Sequence, residues 1–190
     1  MKKIELKKHK VSYAKRLCEI LNNPNFIYFT VKPKTVEDEA KWLRQSSKKA
    51  KDNFEHNYAI FYSNKLIGGC GIKIDQHRKF IGEIGYFIDE EYWNKGITTK
   101  VVKLLEKIGF DKLGLKRITI IMDLNNKASR KVAIKNNYKK EGIMKKSIDN
   151  NGKFCDVCIS LFKLKSYTEL RNIVKEREGK ILGPCPCTVL

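Results

Sequence analysis

Three short stretches of this chain carry residue types that could do chemistry. In Gly82-Glu83-Ile84-Gly85-Tyr86-Phe87-Ile88 one carboxylate, Glu83, stands in apolar company. Desolvation disfavours a charged carboxyl group and moves its pKa up, towards the range of a general base. The same run also reads as an ordinary strand with a half-exposed Glu. Two glycines in one strand weaken it unless the backbone needs room, for a bulge or for a ligand's close approach.

The second stretch, Asn94-Lys95-Gly96-Ile97-Thr98-Thr99, leads into an amphipathic run. The first N–H groups of a helix lack partners inside it. They bind phosphate oxygens where a glycine lets the backbone come close. Lys95 adds charge and the two threonines add hydroxyl donors, although a plain loop with threonine caps would have the same composition. The third stretch is Asn125-Asn126-Lys127-Ala128-Ser129-Arg130. Asn is a natural helix cap, and Ser129 falls in the first turn. Its hydroxyl could bond a ligand or donate a proton, or both residues could simply cap the helix.

The elements that must position these residues follow from periodicity. Ile4-Glu5-Leu6 reads as a strand, residues 10–21 as a helix, and Asn22-Asn23-Pro24-Asn25 as its end. An irregular connection over 26–34 holds Phe26, Tyr28 and Phe29. Thr35 is placed to cap a second helix whose first turn holds Glu37, Asp38 and Glu39. Strands are expected over 57–62, 65–74 and 81–88. The clearest helical spacing spans 97–112, with Ile97, Val101, Leu104, Leu105 and Ile108 on one face. Arg117 to Leu124 alternates strictly, which predicts a strand with one buried face. A short helix over 127–136 and a hairpin of 138–147 with 154–164 around Asp149-Asn150-Asn151-Gly152 complete the pattern. Residues 166–178 read as a polar helix or frayed tail, so the expected division is one α/β domain over 1–164 and a tail over 165–190.

At 190 residues, 22.1 kDa and 42% hydrophobic, the chain can bury one domain-sized core, which excludes wholesale disorder. No apolar run approaches the roughly 18–20 residues of a membrane span. The charged start, Met1-Lys2-Lys3, lacks a signal-peptide stretch, so a cytoplasmic location is expected. The net charge of +19 favours anionic partners: nucleic acid, an anionic membrane face or a polyphosphate cofactor. A Lys- and Asn-rich compositional drift would produce the same number.

The three stretches, taken in order, resemble the GNAT superfamily of acyl-CoA N-acyltransferases, most closely its RimJ/RimL-type branch, which acetylates N-termini of ribosomal proteins. The carrying residues are Gly82 through Ile97, Asn126-Lys127-Ala128-Ser129, Tyr138-Lys139-Lys140-Glu141-Gly142 and Asn151-Gly152-Lys153-Phe154-Cys155-Asp156-Val157. The resemblance covers about residues 3–164. It implies an α/β (α+β) GNAT fold, with a mixed sheet of about seven strands, a splayed parallel pair and about four flanking helices. It implies acetyl-CoA as donor, with no metal, seated between strands 83–88 and 117–124. The pantetheine arm would pair with backbone at Phe87 and Ile88. The pyrophosphate would sit on the N–H groups of Asn94, Lys95, Gly96, Ile97, Thr98 and Thr99. Asn126 and Ser129 would contact the pantetheine and the thiol end. The family pattern is Gln/Arg-x-x-Gly-x-Gly/Ala; here Gly96 is kept, while Trp93 and Thr98 stand at the flanking positions.

The resemblance also implies roles. Glu83 would be the base that frees the attacking amine, directly or through water, with backbone N–H donors near a strand bulge meeting the oxyanion. Many relatives protonate the leaving thiolate with a Tyr at the position of Ala133; here Ser129 would take that place, unless positioning alone carries the catalysis. The expected acceptor is a protein N-terminal α-amine of ribosomal type, with charged tRNA or a small-molecule amine as alternatives. A non-catalytic CoA- or RNA-binding module is the reading from another class. RNA or ribosome association would use the surplus charge, and relatives often pair as homodimers through their later strands. Acceptor choice is expected to lie in residues 22–56 and the 147–153 hairpin, with Glu37, Asp38 and Glu39 able to make the pocket acidic.

Two cysteine patterns stand apart. Cys155-Asp156-Val157-Cys158 lies in a predicted strand, where residues three apart point to opposite faces, which argues against a zinc knuckle or redox pair. Cys185 and Cys187 could still complete a four-cysteine site with it. Cys187-Thr188-Val189-Leu190 fits a prenylation box, meaningful only in a eukaryotic host, where Cys187 would give membrane attachment.

Overall fold

The alternating runs pair into a single sheet, and the amphipathic runs cover its two faces. A computed structural model describes residues 3–29, 32–150 and 153–164. Its elements are β1 (Ile4–Lys8), α1 (Ala14–Leu21), α2 (Val36–Lys51), β2 (Glu55–Tyr62), β3 (Lys65–Ile74), β4 (Ile81–Ile88), α3 (Ile97–Lys107), β5 (Arg117–Asp123), α4 (Lys127–Lys135), β6 (Lys139–Asn150) and β7 (Lys153–Leu164). The seven strands run in the order β1-β2-β3-β4-β5-β7-β6. Every neighbouring pair is antiparallel except β4–β5, which is parallel. This is the expected α/β architecture with four helices.

One layer is predominantly apolar. Ile97, Val101, Val102 and Leu105 of α3 and Ala133 of α4 pack with Ile72, Ile84, Ile88, Ile118, Ile120 and Met122 of the sheet. On the other face a smaller cluster joins Ala14 and Leu17 of α1 to Ala40 and Leu43 of α2, with Phe87 of β4 against it. The α2 start is fixed by a reciprocal cap: Thr35 Oγ1 accepts from the Asp38 N–H and the Asp38 carboxylate accepts from the Thr35 N–H.

Three details depart from the periodicity. The run over 97–112 is α-helical only to Lys107 and continues as a π-turn over Ile108–Lys112. The wider turn brings the buried Gly109 backbone against the sheet, where a Cβ would lie 2.7 Å from Ile118 Cδ1. Leu104, placed on the inner face by spacing, is exposed, and Val102 and Glu106 are buried instead. β5 buries Ile118, Ile120 and Met122 as alternation predicts, but also Thr119, whose Oγ1–H donates to the Gly82 carbonyl at 3.3 Å.

β4 contains no bulge. Its register against β3 runs unbroken from Gly82↔Ile74 to Ile88↔Gly68, and the irregularity falls at Ile60/Phe61 of β2 instead. β3 can lie this close because Gly68 has no side chain. A Cβ there would stand 2.2 Å from the Phe87 carbonyl oxygen. Gly68→Ala is therefore expected to lower stability by about 1–3 kcal/mol through overpacking. Gly85→Ala, with nothing within 4 Å of its would-be Cβ, is expected to fold with near-normal stability. Equal urea midpoints for the two variants would contradict this packing account.

Candidate active site

The parallel strands β4 and β5 pair at only three positions: Ile81↔Arg117, Gly82↔Ile118 and Glu83↔Thr119. Beyond Glu83 they separate, leaving a V-shaped cleft in the middle of the sheet. An antiparallel ladder alternates the direction of backbone groups. The Asp75 N–H donates to the Ile81 carbonyl at 3.0 Å and the Asp89 N–H to the Ile67 carbonyl at 2.7 Å. Odd-numbered residues of β4 therefore bond to β3, and the backbones of Ile84, Tyr86 and Ile88 face the cleft. Register thus turns the Phe87 main chain to β3 and leaves Tyr86 and Ile88 as the cleft-lining pair. The Ile88 carbonyl is already engaged, because Trp93 Nε1–H donates to it at 2.8 Å.

Both connections that follow the parallel strands end in helix starts at the mouth of this cleft. After β4 the chain turns through Asn94 (φ 59°) and Gly96 (φ 70°) into α3. Gly96 has open space around it, and the α3 ladder begins with the Lys100 N–H on the Gly96 carbonyl at 3.4 Å. The N–H groups of Ile97, Thr98 and Thr99 precede that bond and have no partner in the helix. Lys95 is exposed beside them, its Nζ 5.5 Å from the Tyr92 ring centroid. This stretch fits a pyrophosphate: free donors, a cation and no obstructing side chain. After β5, Asn126 caps α4, its Oδ1 accepting from the Ser129 N–H at 2.9 Å.

The two faces of β4 do different things. Glu83, Gly85 and Phe87 share the α1–α2 face by strand alternation. Phe87 is covered by that layer, but Gly85 is exposed although its strand is central. The helices therefore leave a trough beside Glu83. Burial pushes the Glu83 carboxyl above its ordinary range, and Lys73, directly across on β3, pulls partly back. Gly85 pairs with Gly71, and Gly71 with Asn57 on β2. Asn57 lays its amide over Gly71, Oδ1 being 2.0 Å from where a Cβ would stand. Its Nδ2 is buried without a protein partner. No periodicity singles out Asn57; only the pairing register brings it to the trough.

Tyr86 points to the opposite face and reaches α4. Its hydroxyl lies 2.7 Å from Ser129 Oγ. Burial pushes the Tyr86 phenol up to about 12, with the Ser129 bond acting the other way. So Ser129 both sits in the cap and holds a tyrosine that sequence reasoning missed. Ala133 is fully buried in the core, which leaves its position no room for a tyrosine.

A strap crosses the mouth. Asn23 and Asn25 donate their side-chain amides to the two oxygens of Glu90, each at 2.8 Å. Phe26 packs on Trp93 with centroids 5.7 Å apart, and Phe29 on Phe87 at 5.4 Å. The Tyr28 hydroxyl then donates to the Asn125 carbonyl at 2.9 Å. The segment is tied to the chain beyond β4 at one end and beyond β5 at the other. Of the acidic trio, Glu37 pairs with Arg44 at 2.8 Å on the surface and Asp38 serves the cap, so only Glu39 is buried. Among the described residues no cluster of three or more His, Cys, Asp or Glu could hold a metal ion, and no helix is long and apolar enough to cross a membrane. The four-cysteine site, the prenylation box and the tail rest on positions outside the described residues.

A cleft between splayed parallel strands, with helix starts at its mouth, defines an acyl-CoA transferase scaffold. The Acetyltransferase (GNAT) domain family matches residues 3–139, and the chain belongs to that family. It is 32% identical to the uncharacterized N-acetyltransferase YoaA of Bacillus subtilis over 118 residues, 61% of this chain and 59% of that protein, so the chain spans less than two thirds of that relative. It is 26% identical to the ribosomal-protein-serine acetyltransferase of Escherichia coli over 141 residues, 74% of this chain and 75% of that one. Its fold is similar to that of the microcin C7 self-immunity acetyltransferase MccE, solved with acetyl-CoA and AMP, with a TM-score of 0.77 at 24% identity, covering 85% and 92% of the two chains.

Because the strap closes over the cleft, removing its far tie should loosen whatever is seated there. Tyr28→Phe deletes one exposed hydrogen bond, about 0.5–1.5 kcal/mol. Acetyl-CoA release measured by stopped flow is expected to quicken on the order of 2–10-fold, with the melting temperature lowered by no more than a few degrees. An unchanged release rate would separate the strap from the ligand path.

Proposed function

We propose that the protein is an acetyl-CoA-dependent N-acetyltransferase acting on a protein N-terminal α-amine. The observation that carries the reading is the unpaired inner edge of β4 beside a desolvated Glu83 and an open Gly85. Acetyl-CoA would be held by the free N–H groups of Ile97, Thr98 and Thr99 with Lys95, by the cleft-facing backbone of Tyr86 and Ile88, and by Asn126. It supplies an activated acetyl thioester.

The chain's own residues supply the rest. An α-amino group titrates near 8 and attacks only when neutral. Glu83 accepts its proton, and the raised affinity of the buried carboxylate for protons suits that task. Backbone N–H groups of β4 that lack a strand partner are donors for developing negative charge. Ser129, braced by Tyr86, supports the thiol end. The open backbone at Gly85 takes an extended acceptor without collision. The unpartnered Asn57 Nδ2–H suits an acceptor carbonyl, as expected of a buried donor. The name of the Escherichia coli relative supports a ribosomal-protein acceptor, and the basic chain suits an RNA-rich setting.

The test begins with calorimetric titration of acetyl-CoA, with desulfo-CoA as control, followed by turnover on ribosomal-protein N-terminal peptides, charged tRNA and small amines. Binding without turnover on any amine would favour a non-catalytic module. Glu83→Gln is expected to lower kcat by about 10²–10³-fold with acetyl-CoA affinity unchanged. The same substitution should raise stability at neutral pH. The Glu83 pKa is raised on folding, so stability from its protonated form is full below the unfolded value and lost as pH rises through the folded one. The melting-temperature advantage of Glu83→Gln should therefore shrink as pH falls through the folded value towards about 4.3, and be gone below it. Equal kcat in the two proteins would remove Glu83 from the base's role.

A further inference from the structure

The net charge of +19 is not spread evenly over the fold. Helices α3 and α4 lie side by side on one face of the sheet, both packed into the same core. Their outward surfaces carry Lys100, Lys103 and Lys107 on α3 and Lys127, Arg130, Lys131 and Lys135 on α4, all exposed. The sole acidic residue on either helix is Glu106, and it is buried. None of these seven cations makes an ion pair among the described residues. On α2, by contrast, the exposed Glu37 and Asp38 stand in the first turn, and Glu37 pairs with Arg44.

We propose that the outer face of α3 and α4 is a docking surface for the phosphate backbone of folded RNA. The residue chemistry selects this partner. Protein interfaces are depleted of Lys and enriched in aromatic residues, and this face is mostly Lys with no exposed aromatic. Single-stranded nucleic acid is held by aromatic stacking platforms, which are also missing from it. Point charges that neutralise phosphates suit a helical RNA backbone, recognised by shape and charge. The spacing suits it too: Lys100 to Lys107 spans about 10 Å along the helix axis, and packed helices sit roughly 8–10 Å apart. The face adjoins the start of α3, so RNA held there would keep the cleft mouth close to an RNA-bound acceptor.

The test uses fluorescence anisotropy with a labelled RNA hairpin at several salt concentrations, with acetyl-CoA saturating so that its phosphate site is filled. Lys103→Glu/Lys107→Glu/Lys131→Glu/Lys135→Glu is compared with a control carrying the same charge change on α2, Lys41→Glu/Lys48→Glu/Lys49→Glu/Lys51→Glu. The first variant is expected to lose at least 100-fold in affinity and to flatten the salt slope by about one for each phosphate contact removed. The control should lose much less, and melting curves confirm that both are folded. Equal loss in both variants would overturn the proposal, since net charge alone would then explain the binding. So would displacement of the hairpin by acetyl-CoA, or tight binding to anionic phospholipid vesicles with none to the hairpin.

Discussion

Three residue pairs hold β4 to β5, and the function of the fold depends on there being no fourth. An unpaired strand edge inside a sheet leaves backbone donors and acceptors without partners, at a cost comparable to lost hydrogen bonds. The protein blocks closure from every side. Below, the Thr119 hydroxyl takes the Gly82 carbonyl. Above, the Trp93 indole takes the Ile88 carbonyl. β4 is bound along its other edge by β3 in continuous register, and β5 by β7 through a pairing that shifts between Ile120 and Met122. The strands cannot zip together without breaking one of these contacts.

The cleft would be of little use if the helix starts pointed elsewhere. In a parallel strand pair both connections leave from the carboxyl ends, which is where open α/β sheets bind ligands. Here those connections are β4 to α3 and β5 to α4, so two helix starts converge on one mouth, that of α3 with free N–H groups and that of α4 capped by Asn126. The first needs two left-handed residues, Asn94 and Gly96 on either side of Lys95, to turn the chain back. Glycine takes that conformation freely, and Asn is the side chain that tolerates it best. Asp89 anchors the same turn: it is buried, caps the Glu91 N–H and pairs with Arg16 of α1. One carboxylate thereby ties the turn before α3 to the opposite helical layer.

What could be read in advance was whatever depends on neighbours in sequence. The alternation in Arg117–Leu124, the spacing of Ile97, Val101 and Leu105 and the Thr35 cap all became the elements they predicted. The boundaries that failed depend on contacts across the fold. Leu104 lies on the helical stripe by number but faces solvent, while Glu106 is buried. The π-turn at Ile108–Lys112 exists because Gly109 must meet Ile118, a residue on another element. The site divides the same way. Glu83 and the Gly96 loop were visible as local anomalies, a charge among apolar residues and a glycine before a helix. Tyr86 and Asn57 were not, since each matters only through pairing register, which a one-residue shift would reverse.

Tyr86 also answers the question raised by Ala133. Ala133 is fully buried beneath α4, so a tyrosine there would have to displace core side chains. The phenol that the cleft does contain comes from the strand instead and reaches the first turn of α4 at Ser129. Pushed up to about 12 by burial, it keeps its proton at neutral pH. A thiol near 8.5 is the stronger acid by more than three decades, so such a phenol does not protonate a thiolate outright. In the proposed transfer it would stabilise one by hydrogen bonding, passed through the serine hydroxyl, while the proton balance falls on the amine and Glu83. In the transfer proposed above, a fixed dipole stands in for an acid on the helix, and the burden falls the more on Glu83 and on the geometry of the cleft.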